Sequence, residues 1–243
     1  MISPRGRLDV FLAKTLNVPK KSARELIKAG RVTVDGDLAK EASAQIGPFS
    51  QIYLDETALR ADTPRYLMVH KPVGLVSATI DQEHATVLDL IPEALRLGLH
   101  IVGRLDLNTS GLVLLSNDSR WSESMMQPGA HVPKAYRVTL EKPLTPEYIY
   151  AFAQGFYFET EDITTLPAKL VIIGEHEAEV ELYEGKYHQI KRMFGRFQNR
   201  VTALHRFRIG ALPLDPELAP GQWRLLSDDE KRACQQSEGQ IGL

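Results

Sequence analysis

The chain of 243 residues is 43% hydrophobic and 25% charged, with 17 Gly and 14 Pro, a globular composition with room for one or two cored domains rather than a disordered or fibrous one. Its 29 Lys plus Arg nearly balance 31 Asp plus Glu, for a net charge of −2, and over the whole molecule that balance argues against a polyanionic partner. No apolar run reaches the roughly 18 residues of a membrane span, Met1 to Val10 has no signal-peptide apolar core, and Cys234 alone excludes an intrachain disulfide or a zinc site built on two thiolates, so a cytoplasmic location is expected.

In chain order, Leu8, Phe11, Leu12 and Leu16 recur at three- and four-residue spacing and predict a short helix that stops around Asn17 and Pro19. Pro19 starts a second helix, with Ala23, Leu26 and Ile27 facing inward and Gly30 as its left-handed stop. Val32 and Val34 alternate into Asp35-Gly36, the dipeptide of a tight hairpin, and a further short strand is expected at Gln51 to Leu54. Glu56 to Pro64, poor in apolar residues and ending in a Thr-Pro step, reads as a linker. The expected division is a small module over 1–55, a linker over 56–64, a larger domain over 65–232 and a tail over 233–243.

In the larger domain Tyr66 to Val69 predicts a strand, His70-Lys71-Pro72-Val73-Gly74 a turn, and Leu75 to Ser77 renewed extended structure. Strands are also expected at Leu112 to Leu115, Ala135 to Leu140, Ala168 to Ile173, Ala178 to Leu182 and Val201 to Phe207. Helices fit Ser119 to Met126, Pro146 to Gln154 and His188 to Phe197. Strands outnumber helices without βαβ alternation, which predicts an α+β fold whose central sheet is mixed, mainly antiparallel and flanked by helices. Beyond about Asp228 the acids, Gln and Gly read as a frayed tail.

Charge is unevenly spread. Residues 1 to 40 hold nine basic and four acidic side chains, and residues 185 to 210 hold seven basic ones and no acid. Residues 141 to 184 carry ten acids against Lys142 and Lys169. Such a run is ordinarily a solvated face, but two separate basic segments point to phosphate contact, with the acidic segment facing away.

Chemistry is most concentrated in Gly103-Arg104-Leu105-Asp106-Leu107-Asn108-Thr109-Ser110-Gly111. Asp106 between two leucines is a carboxylate in a burying context, which is costly unless something offsets it. Spacing alone favours an Asp that caps a turn or pairs with Arg104. A nearby cation would keep it ionised, as a nucleophile requires. The histidines make no HExxH pattern and no metal is implied; Asn108 to Gly111 lacks the upstream Gly of a nucleophile elbow. His188 and Gln189, at an expected helix start, read as structural residues.

Two resemblances sharpen these readings. RLDVFLAKTL followed by SARELIKAGRVTVDG, over roughly residues 5 to 55, resembles the S4 RNA-binding domain, with Val10 where a Lys is frequent; it implies RNA contact through Arg7, Lys20, Lys21, Arg24, Lys28 and Arg31. GRLDLNTSGLVLLSND resembles the catalytic motif of pseudouridine synthases, in the branch that modifies bacterial ribosomal RNA. YLMVHKPVGLVSAT resembles that family's first motif, with His70 where Asn is more usual, KAYRVTL its base-stacking strand, and EGKYHQIKRMF its third motif.

The resemblance implies an enzyme that isomerises a uridine without external cofactor or metal. Asp106 would be the nucleophile, Tyr136 would stack on the flipped base and Lys191 would hold Asp106 charged. Ile190 would pack beside the base, and Arg104 would fill the vacated stack. The Tyr-His-Gln-Ile-Lys form is closest to members acting on 16S rRNA, which implies one uridine in a partly assembled 30S particle and a monomeric protein. The alternatives are a 23S-directed member of the same family and a ribosome-assembly factor that binds RNA without chemistry. A glycosidase is disfavoured because it needs two facing acids.

Overall fold

The computed structural model describes residues 6–127 and 129–236, and the chain divides between Pro64 and Arg65 into two units. The first runs β1 (Gly6–Arg7), α1 (Leu8–Thr15), α2 (Lys20–Lys28), β2 (Val32–Val34), β3 (Asp37–Leu38), β4 (Gln45–Ile46), β5 (Ile52–Leu54) and β6 (Thr57–Arg60). Pro19 sits immediately before α2 with φ −58°, already set for a helical start. Gly30 ends that helix at φ 70°. Asp35 and Gly36 take φ 54° and 91°, so β2 returns as β3 through a two-residue turn whose twist matches that of the strands. Leu8, Leu12, Ala23 and Ile27 from the helices meet Val32 and Ile52 from the strands in one core.

The expected linker is corrected. Thr57–Arg60 is a strand that pairs with β5 and completes a four-stranded β3-β2-β5-β6 sheet. Leu59 packs against the core and Arg60 Nε donates to the Ser50 carbonyl. Four residues are too short for alternation to register in the sequence; the sheet edge and the core supply the order. Only 61–64 have no regular structure.

Asp9 is fully buried and accepts from Arg7 and Arg24, at 3.0 and 2.8 Å to Oδ2. The hydrogen bonds from Arg7, reinforced by Arg24, hold its carboxyl down at about 2 against burial, from an ordinary 3.8. Because the folded value is the lower one, this carboxylate stabilises the fold above pH 4 or so and loses that contribution as pH falls toward 2. Urea unfolding followed through this range should therefore show a steeper loss for the wild type than for Asp9→Asn, which at pH 7 should be less stable by about 2 kcal/mol.

The second unit contains β7 (Tyr66–Lys71), a 3-10 turn at Val87–Leu90, α3 (Glu93–Arg96), β8 (His100–Val102), β9 (Ser110–Ser116), α4 (Ser119–Met126), β10 (Lys134–Leu140), α5 (Glu147–Gln154), β11 (Tyr157–Phe158), β12 (Ile163–Thr164), β13 (Lys169–Gly174), β14 (Glu177–Leu182), α6 (Gln189–Gly195), β15 (Val201–Ile209), β16 (Leu212–Pro213), β17 (Trp223–Leu225) and α7 (Asp228–Ala233). The central sheet has the order β13-β14-β10-β15-β9-β7-β17, with β8 on β9 and β16 on β15. The fold is α+β, and the sheet is mainly antiparallel; β9 and β15 run parallel.

Alternation explains why β9 is apolar from Leu112 to Leu115. Leu112 and Leu114 enter the core under α4, with Trp121 and Met125, while Val113 and Leu115 enter the opposite core with Phe152 of α5 and Phe194 of α6. Successive side chains point to opposite faces, and both faces are covered. Gly111 begins this run at φ 111°, where an added Cβ would lie 2.1 Å from the Arg206 carbonyl oxygen. The absence of a side chain there lets β15 approach.

Two further expectations are corrected. Leu75 to Ser77 forms no strand, only a single bridge from Val76 to Thr86, because Ser77 is occupied with Leu105. The frayed tail is a helix, α7, started by reciprocal Ser227 and Glu230 bonds, the capping box. Cys234 after it is buried in the core under α4, so order extends past 233; residues 237–243 of the expected tail, like Arg5, lie outside the described residues. Among the described residues no helix is long and apolar enough to cross a membrane.

Candidate active site

Asp106 lies on the loop that joins β8 to β9. Two buried cations hold this loop through main-chain oxygens rather than through carboxylates. Lys71, 0% exposed at the end of β7, donates from Nζ to the carbonyls of Thr109 at 2.7 Å, Pro72 at 3.0 Å and Asp106 at 3.1 Å. Burial lowers its ammonium to about 8, with the neighbouring Asp106 charge opposing that fall. Arg206, 1% exposed on β15, donates from Nε to the Leu112 carbonyl and from Nη2 to that of Gly103, both at 2.8 Å. The Ser77 hydroxyl donates to the Leu105 carbonyl at 2.8 Å and accepts from the Leu105 amide at 3.0 Å. Both ends and the middle of the loop are thereby tied to the sheet.

The Asp106 side chain emerges from this clamp into a pocket whose apolar lining includes Leu105, Leu182, Ile190 and Leu204. Its Oδ2 accepts from Lys191 Nζ at 2.9 Å. Lys191 comes from the first turn of α6, with Ile190 beside it buried toward the core. Tyr136 on β10 also lines the pocket, and its buried ring has the Arg206 guanidinium 5.9 Å from the centroid. Arg206 Nη1 lies 3.5 Å from the Tyr136 hydroxyl, the outer limit of a hydrogen bond. Arg104, exposed at the mouth, completes the wall. Asp106, Tyr136, Lys191, Ile190 and Arg104, five residues from three distant segments, thus line a single pocket.

Sequence reasoning missed Lys71, Arg206, Leu182 and Leu204. A Lys or Arg in a strand reads as exposed, and only the register that places Gly111 beside Arg206 reveals the burial. His188 is corrected from a helix cap to a pocket residue: its side chain makes no capping bond, and Nε2 stands 3.4 Å from Asp106 Oδ2. Gln189 is a brace, donating to Glu184 Oε1 at 2.8 Å and accepting from the Lys186 amide at 3.0 Å.

The charge expectation is also corrected. The acids of residues 141 to 184 do not all face away from the basic stretch: Arg192 pairs with Glu161 and Arg208 with Glu181, each at 2.6 Å, and Lys186 lies 3.8 Å from Glu184. Folding neutralises much of what looked like a phosphate surface and leaves Lys191 for Asp106. In the first unit Arg7 and Arg24 serve Asp9, and Arg31 pairs with Asp55 at 2.6 Å; Lys20, Lys21 and Lys28 are exposed.

Comparison with known proteins agrees with this geometry. The family described as RNA pseudouridylate synthase matches residues 65–195, and the S4 domain matches residues 6–52. The chain is 50% identical over 225 residues to the ribosomal small subunit pseudouridine synthase A of Pseudomonas aeruginosa, covering 92% of this chain and 98% of that protein. It is 41% identical to the protein of the same description from Escherichia coli K12, covering 92% and 97%. A crystal structure of a pseudouridylate synthase superimposes with a TM-score of 0.69 at 35% identity, covering 94% of this chain and 99% of that one.

The clamp has a measurable consequence. Lys71→Met keeps the bulk but removes the donor to the carbonyls of Pro72, Asp106, Leu107 and Thr109, and should lower the unfolding free energy by about 2 to 3 kcal/mol. Hydrogen exchange should show the Thr109 amide, which donates to the Asp106 carbonyl at 3.0 Å, losing protection more than the amides of β10.

Proposed function

This chain belongs to the RNA pseudouridylate synthase family, and from that premise we propose that it converts one uridine in the 16S rRNA of the small ribosomal subunit to pseudouridine, in the cytoplasm and as a monomer. The observation that carries the reading is the pocket in which the Asp106 carboxylate meets Lys191 Nζ at 2.9 Å beside the ring of Tyr136. Identity of 50% over nearly the whole chain to a small-subunit enzyme supports the choice of rRNA.

Asp106 is the nucleophile and attacks ribose C1′ or uracil C6. The N1–C1′ bond breaks, the uracil turns, C5 bonds to C1′, and the bond between Asp106 and the substrate carbon is broken so that the carboxylate is regenerated. The C5 proton then leaves and N1 gains one, so the product is an isomer of the substrate. Covalent catalysis of this kind divides one rearrangement into easier steps. Lys191 pairs with Asp106 at 2.9 Å and keeps it aimed into the pocket. Tyr136 offers a flat face to the flipped base and a hydroxyl for C5 proton removal. Ile190 packs beside the base, and Arg104 at the mouth replaces the extruded base in its stack. The first unit supplies phosphate contact through Lys20, Lys21 and Lys28, with Arg7, Arg24 and Arg31 shaping the same unit through their ion pairs. The RNA is presented in a partly assembled 30S particle.

Carbodiimide treatment of 16S and 23S rRNA, as free RNA and as partly assembled subunits, should after incubation with the protein give one new reverse-transcription stop, in 16S rRNA. Asp106→Asn should abolish it; a stop that persists in this variant overturns the mechanism, and one in 23S rRNA overturns the substrate. Replacing Lys20, Lys21 and Lys28 together by Gln should weaken RNA binding and reduce the slope of log affinity against log salt by about 2 to 3, as measured by filter binding across a salt series.

A further inference from the structure

A cleft of about 410 Å³ opens beside the Asp106 pocket and shares Arg104, Asp106, Lys186 and His188 with it. Val76 and Tyr187 belong to the cleft and not to the pocket. Tyr187 is 74% exposed and lines the cleft. Its ring stacks on His188 with centroids 3.9 Å apart and planes at 20°. His188 in turn is held at φ 48° and ψ 32°, a left-handed conformation that a non-glycine residue adopts at some cost.

That cost is sustained by a braced loop. Gln189, buried below it, ties the Lys186 amide to Glu184, and Glu184 accepts from the Leu166 amide at 2.8 Å. The rest of the strut is Arg192, which lies over the Phe158 ring at 3.6 Å and pairs with Glu161. Its Nη1 reaches the Tyr187 carbonyl at 3.4 Å. Two elements outside the loop therefore fix a backbone whose visible product is one exposed aromatic face, continuous with the pocket and flanked by the exposed cations Arg104 and Lys186.

We propose that the stacked Tyr187–His188 pair is a platform for the nucleobase adjacent to the target uridine, so that the cleft is a second, neighbouring-nucleotide subsite. The proposal rests on the reading of the Asp106 pocket as a uridine isomerisation site and adds to it a recognition element outside the reacting base. A planar base closes over the open phenol face, as bases do on aromatic side chains in single-stranded RNA recognition, and Lys186, which stays exposed despite its 3.8 Å approach to Glu184, meets the intervening phosphate. Extruding the target uridine separates it from its neighbour in the stack, and the platform supplies that neighbour with a new partner. His188 links the two sites, because the ring that supports Tyr187 also stands 3.4 Å from Asp106 Oδ2.

Two measurements test this separately from the isomerase reading. In the first, uridine-containing oligoribonucleotides with 2-aminopurine on the 5′ or the 3′ side of the uridine are bound to Asp106→Asn protein, which needs no turnover. Fluorescence should be quenched on one side, and adding Tyr187→Ala should remove the quench while Tyr187→Phe keeps it. In the second, single-turnover pseudouridine formation is followed on 16S rRNA. Tyr187→Ala should lower kcat/KM about tenfold to a hundredfold with an unchanged melting temperature, and Tyr187→Phe should restore it. On RNA abasic at that neighbouring position, wild type and Tyr187→Ala should react alike. An equal quench in wild-type and Tyr187→Ala backgrounds, or an undiminished Tyr187→Ala defect on abasic RNA, overturns the platform. Absence of any pseudouridine with wild-type protein overturns the isomerase reading, and the binding measurement still decides the platform.

Discussion

The site depends on two buried cations that have carbonyl oxygens, not carboxylates, for their direct partners. Lys71 and Arg206 gather the main-chain oxygens of Gly103, Asp106, Thr109 and Leu112, and so they tie the segment that carries Asp106 to β7 on one side and β15 on the other. A charge taken from water is costly unless its donors are all used. Here the Lys71 ammonium and two of the three Arg206 nitrogens donate to backbone carbonyls, and the third Arg206 nitrogen faces the Tyr136 hydroxyl. Geometry and electrostatics are thereby coupled. Lys134, at the start of β10, is lowered to about 8 by burial and by Arg206.

This arrangement explains why the surface charges are distributed as they are. A pocket that concentrates positive potential would serve RNA poorly if every nearby cation competed for the same carboxylate. Arg192 and Arg208 are instead committed to Glu161 and Glu181, and Asp106 is met by Lys191 at 2.9 Å and by His188 at 3.4 Å. The same economy appears in the first unit, where Asp9 takes up Arg7 and Arg24 inside the fold and leaves the lysines of α2 at the surface. Net charge per segment, counted along the chain, overstated the phosphate-facing surface because strand pairing returns acids to bases.

Much of the architecture is legible in the sequence. The turn at Asp35-Gly36, the start of α2 after Pro19 and the strands expected at 112–115 and 135–140 follow from local rules, since proline fixes φ, glycine accepts positive φ and alternation restricts facing. Short edges were not legible. Thr57–Arg60 and Trp223–Leu225 are strands because neighbours pair with them, and nothing in three or four residues announces that. The helix at Asp228–Ala233 starts at the capping box of Ser227 and Glu230, a local signal masked by the acidic, Gln-rich composition around it.

For the site, the sequence by itself determined the chemistry-bearing types and their order: Asp106 between leucines, Tyr136 on a strand and Lys191 in a basic turn, in an arrangement that resembles one family of enzymes. Their meeting was decided by the tertiary structure, because residues up to 85 positions apart in the chain contact one another only through the sheet order and the placement of α6. The buried states of Lys71 and Arg206, and the turn of His188 from an expected cap toward Asp106, were likewise decided there. A side chain's charge is written in its identity, whereas its solvation and its partners are properties of the packed chain.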